Sequence, residues 1–105
     1  MNPRLVALAL FAGALACTSA LPQPTQADAA KAAERWPGTT QADLARGRGL
    51  YVDKCAGCHA LKAPNEVPVE RWIEEIEEMR KEHDVALSDS EAQAILVYLV
   101  GVGSR

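Results

Sequence analysis

The stretch Cys55-Ala56-Gly57-Cys58-His59 constrains this chain more than any other. Two thiols three positions apart fall on one helical turn, and an imidazole follows directly. Cys-x-x-Cys-His is the attachment signature of c-type haem. Each thiol can form a thioether to a haem vinyl group, and His59 can then present its imidazole to the iron from below the porphyrin plane. One pentapeptide thus supplies both covalent anchors and one axial ligand, which narrows the chemistry to carrying an electron or binding a small ligand. Two other chemistries share part of the pattern. A thiol–disulfide site needs only the Cys-x-x-Cys, but expects strands before and after it, and no strand-like alternation follows residue 40. A zinc site needs four ligands; Cys55, Cys58 and His59 give three, with His83 the only other soft donor.

Haem of this kind is attached outside the cytoplasm, and the N-terminus reads as an export signal. Met1-Asn2-Pro3-Arg4 is a short basic region, and Leu5 to Ala16 is an uncharged apolar run too short to span a bilayer. Residues 1–16 are therefore expected to be a signal peptide. Ala14-Leu15-Ala16-Cys17 resembles a lipobox, which would make Cys17 a lipid-modified first mature residue. Ordinary cleavage after Ala16 or Ala20, giving a soluble periplasmic protein, is the alternative. The cysteine count bears on the choice: haem uses two of the three, which leaves Cys17 unpaired in an oxidising compartment.

Residues 17–40 are rich in Ala, Pro, Gln and Thr and read as a tether, with a brief helix at 28–35 and Trp36-Pro37-Gly38 at its end. Trp36 can lie against a haem edge or clamp the folded domain. That leaves 41–105, about 65 residues, for one domain, a size at which an apolar core is marginal. The single Phe lies in the signal segment, consistent with a core centred on a cofactor. The formal net charge of −3 becomes more negative once Arg4 is removed and haem propionates are added, which disfavours a nucleic-acid role. Redox partners, an electron donor and an acceptor, would dock through a basic patch or an apolar contact around the haem edge. The acidic run Glu74-Glu75, Glu77-Glu78 is either such a docking face or a solvated helix face.

Three helices are legible in this domain. The first spans about 41–54, capped by Thr40 or Asp43, with Leu44, Gly47, Leu50 and Tyr51 on one side. Gly47 costs about 1 kcal/mol relative to Ala inside a helix, so close approach of another helix is expected there. The last helix opens on a Ser88/Glu91 capping box. It carries the stripe Ala92, Ile95, Leu96, Leu99, Val100 and is expected to stop at Gly101 and Gly103. The middle helix starts near Pro68 and places Val69, Trp72, Ile73, Ile76, Met79 and His83 on one face. A second axial ligand is sought on that face, since thioether sulfur and imidazole are the usual donors. Met79 is the expected distal ligand, as the only methionine outside the signal segment. His83 lies one turn further on, and spacing alone does not separate the two from each other or from an open site.

With Gly47 and Tyr51 ahead of the Cys55–His59 motif and an apolar terminal helix behind it, residues 43–101 resemble a small class I-like monohaem cytochrome c. The resemblance implies an all-α domain of three to four short helices around one covalently attached haem c. Its N- and C-terminal helices would cross beside the haem, with Gly47 and Tyr51 facing Tyr98 or Leu99. It implies Cys55 and Cys58 as thioether anchors, His59 as proximal ligand, and Pro64 as the residue whose carbonyl accepts the proximal imidazole N–H. The function implied is that of a one-electron carrier that catalyses no reaction alone; a haem-based ligand sensor or a small subunit of a larger oxidoreductase is the alternative. Met79 departs from the family pattern, because it follows His59 closely and sits within a predicted helix rather than on a later loop.

Overall fold

The computed structural model describes residues 21–56 and 60–105. The signal segment, Cys17, Cys58 and His59 lie outside the described residues. Within them the chain is all-helical: α1 Gln26–Ala33, α2 Gln41–Cys55, a single 3-10 turn Val69–Arg71 leading into α3 Trp72–Glu82, and α4 Asp89–Gly103. Three of the four helices start on the same device. Thr25, Thr40 and Ser88 each accept a hydrogen bond from the backbone N–H three residues on, and the carboxylates of Asp28, Asp43 and Glu91 each accept one from the cap's own N–H. Each reciprocal pair satisfies two donors that a helix start leaves orphaned. α3 has no side-chain cap and instead winds out of the 3-10 turn after Pro68.

The dominant packing is α2 against α4. Gly47 is the crossing point. A Cβ there would collide with the Ala94 carbonyl oxygen and stand 2.8 Å from Tyr98 Cβ, so the glycine is what lets the two backbones meet. Leu44, Ile95, Tyr98 and Leu99 are fully buried around this crossing. α3 lies over the N-terminal half of α4, and α1 lies over its C-terminal half.

Two expectations change at α1. The segment read as a tether is packed onto the domain from Leu21 onward. Leu21, Ala29 and Ala32 are buried, and three side chains of α2 and α4 reach its backbone carbonyls: Tyr98 Oη donates to Pro22 at 2.8 Å, Arg48 Nη2 to Leu21 at 3.1 Å, and Gln41 Nε2 to Pro24 at 2.9 Å. Proline offers only acceptors, so a Pro-rich stretch suits a role as carbonyl supplier to neighbouring donors. Gly101, in turn, does not end α4. The helix continues to Gly103, and Gly101 faces α1, where an added Cβ would stand 3.0 Å from Ala32 Cβ. Gly47 and Gly101 therefore mark helix contacts rather than helix ends.

Asp28 completes the dock. It is buried, caps its own helix start, and accepts a bidentate pair from Arg105, Nε at 2.8 Å and Nη2 at 2.7 Å. Those bonds from Arg105, reinforced by Thr25 and opposed by burial, hold its carboxyl down at about 2.

Two outcomes follow. Gly47→Ala should destabilise the fold by about 1–3 kcal/mol in urea titration, despite alanine's better helix propensity; equal or greater stability would mean that the helices do not touch there. Because the folded carboxyl titrates lower than the unfolded one, the Asp28 contribution is fully present above about pH 4 and is lost as pH falls through about 2. Asp28→Asn should therefore cost about 2 kcal/mol at pH 7, with the difference from wild type shrinking toward pH 2.

Candidate functional site

α2 ends at Cys55, and the turns before it aim the site. Gly47, Tyr51 and Cys55 are spaced four apart, so the face that meets α4 at Gly47 carries on to Tyr51 and then to the first thiol of the motif. Beyond that thiol lies a cleft. One wall is Tyr51 and Cys55 of α2; the floor is Ile95 and Leu99 of α4; the far wall is Trp72, Ile76 and Met79 of α3, with Leu87 closing the end. Lys62 and Glu75 stand at its mouth.

Two aromatic donors fix the loop that follows the motif. Tyr51 Oη donates to the Lys62 carbonyl at 2.7 Å, and Trp72 Nε1 donates to the Pro64 carbonyl at 2.9 Å. The two rings meet edge to face, with centroids 6.1 Å apart and planes at 80°. Burial, and next the neighbouring Cys55, push the Tyr51 phenol up, so it remains a donor across the ordinary pH range. Pro64 is itself fully buried. The resemblance assigns its carbonyl to the proximal imidazole; here one of that oxygen's two lone pairs goes to Trp72.

Met79 and Cys55, two of the sequence-predicted site residues, line the same cleft. Met79 is half-buried, on the line Trp72, Ile76, Met79 that faces α2 and α4. His83 is not among the lining residues. It is exposed at the C-terminal cap of α3, where its imidazole and the Glu78 and Glu82 carboxylates have ligand atoms within 4.8 Å of one another. Helical spacing puts Met79 and His83 on one face, but α3 stops at Glu82, and the chain turns away through Asp84 at φ 52°. Ile73 also departs from the expected stripe. It is 57 % exposed, because it lies 100° around α3 from Trp72, over the outer groove with Leu96. Trp36 does not reach the cleft and packs on the core beside Val97 and Ala94, as a clamp.

The acidic run on α3 is partly neutralised within the fold. Arg71 pairs with Glu74 at 3.5 Å, Lys62 with Glu75 at 3.2 Å, and Arg80 with Glu77 at 2.9 Å. The Lys62–Glu75 pair at the mouth is the feature that sequence reasoning misses. Its signal is the position of Glu75, three residues after Trp72 and four before Met79, which puts it at the edge of the buried face and not on the opposite one.

The donor chemistry and the lining suit a haem: a thiol on one wall, a thioether on the other, and apolar or aromatic side chains between them. The width is less generous. The cleft encloses about 70 Å³, room for a few waters and less than a macrocycle needs. α3 packs on α4 far less extensively than α2 does. Among the described residues no helix is long and apolar enough to cross a membrane. No family model, curated protein or solved structure matches the chain.

Proposed function

We propose that this chain is an exported electron carrier of the cytochrome c kind, holding one haem c and passing single electrons between a donor and an acceptor redox protein. The observation that carries the proposal is the meeting of Cys55, the first thiol of Cys-x-x-Cys-His, and Met79 in one apolar cleft. Cys55 and Cys58 would hold the cofactor covalently, and His59 and Met79 would ligate its iron. When bound, the haem supplies a reversible Fe(III)/Fe(II) couple, and a His/Met pair raises its potential relative to paired imidazoles.

The chain's own contribution is to position and to exclude. Tyr51 and Trp72 pin the carbonyls of Lys62 and Pro64, which fixes the loop on the His59 side of the motif. Ile76, Leu87, Ile95 and Leu99 give the cleft apolar walls. The α2–α4 crossing holds Cys55 on a rigid helix end, so the geometry changes little between oxidation states. Such a protein catalyses no reaction alone.

Export and lipidation at Cys17 remain part of the proposal. Leu21 is already packed on the domain, so the chain from Cys17 to the folded body spans at most about 14 Å. A lipid-anchored form would hold its haem domain against the membrane surface rather than on a long leash.

Optical spectroscopy of the purified holoprotein tests the proposal. The spectrum should be low-spin in both oxidation states and unaltered by carbon monoxide. Met79→Ala should lose the methionine-to-ferric-iron charge-transfer band and lower the midpoint potential. A high-spin ferrous form that takes up carbon monoxide readily would overturn the carrier function in favour of a ligand sensor. An unchanged band in Met79→Ala would move the axial position to another residue.

A further inference from the structure

Lys62 and Glu75 are the charged side chains that line the cleft; the other lining residues are apolar, aromatic or sulfur-bearing. Lys62 Nζ stands 3.2 Å from Glu75 Oε2, and the carboxylate side chain is only 22 % exposed. The backbone positions both partners, while the Lys62 side chain is half-exposed. Tyr51 Oη holds the Lys62 backbone, and Glu75 projects from α3 one turn before Met79. Two charged neighbours are occupied elsewhere: Glu66 accepts the Ala63 N–H, and Arg80 is taken by Glu77 and Asp89.

An ion pair of this kind adds little to stability. Its effect on a charge inside the cleft is larger, because the apolar walls leave that charge poorly screened. We propose that the Lys62–Glu75 pair sets the midpoint potential of the haem proposed above, with Lys62 cancelling a Glu75 charge that would otherwise favour the ferric state. The inference rests on that functional proposal. The redox step is the gain of one electron by Fe(III) to give Fe(II), supplied by a donor protein in function and by dithionite in the test. No proton moves and no bond to the pair forms or breaks. The net charge of the site falls by one, and an unpaired carboxylate opposes that fall.

The test is a spectroelectrochemical titration of the full matured holoprotein and of Lys62→Met, Glu75→Gln, the double variant, and the exchanged pair Lys62→Glu/Glu75→Lys. Lys62→Met should lower the midpoint potential and Glu75→Gln should raise it. Each shift should be on the order of tenfold in the oxidised-to-reduced ratio at fixed potential, about 59 mV for one electron. The double variant and the exchanged pair should return close to wild type. An unaltered low-spin spectrum in each variant shows that the axial ligands are intact and that the shift is electrostatic. Single variants with unmoved potentials, or with shifts of the same sign, overturn the inference and leave the carrier proposal standing. A wild-type chain that carries no haem overturns both.

Discussion

The contact at Gly47 is the constraint on which the rest of the structure depends. A helix pair can approach this closely only where one partner lacks a Cβ, and Gly47 meets the Ala94 carbonyl and Tyr98 directly. Once α2 and α4 are locked there, the four-residue spacing carries the same face of α2 through Tyr51 to Cys55, while α4 offers Ile95 and Leu99 as the floor beneath them. Cys55 is therefore placed by a helix crossing two turns earlier, and not by anything in the motif itself.

Around that crossing the domain is held by few but well-satisfied polar contacts. Among the described residues, no buried side-chain nitrogen or oxygen lacks a partner. Tyr98 reaches Pro22, Tyr51 reaches Lys62, Trp72 reaches Pro64, and Arg105 grips Asp28. Each ties an irregular segment to a helix, which matters in a body of this size, where the apolar core is small. The same economy explains the cleft. Its side chains are apolar on three sides, as though part of the core had been left for a cofactor to complete.

Much of this architecture is legible in the sequence, for identifiable reasons. Ser88 with Glu91, and Thr40 with Asp43, announce two helix starts, and Gly47 announces a helix contact, because each signal is local and has one mechanism. Thr25 with Asp28 carries the same capping signal, obscured by the loose composition around it. Gly101 shows the limit: a glycine near a helix end reads equally as a stop or as a contact, and only the tertiary partner, Ala32, decides. Residues 21–40 read as a tether because alanine and proline advertise no core; their docking comes from donors on α2, α4 and Arg105, far away in the chain. At the site, helical spacing brings Met79 to the cleft but also offers Ile73 and His83, which their places around α3 and at its end turn outward. The Lys62–Glu75 pair joins a loop to a helix, and no periodicity reports such a pairing.

What unites these features is a thiol and a thioether lining one apolar cleft, beside a Cys-x-x-Cys-His motif. Covalent haem at Cys55 and Cys58 is the central claim. Intact mass measurement of the purified protein under denaturing conditions tests it most directly. The expected result is a mass raised by one haem that survives unfolding and is lost when both Cys55 and Cys58 are replaced by Ala. A chain of bare polypeptide mass, with the two cysteines joined as a disulfide, would contradict it.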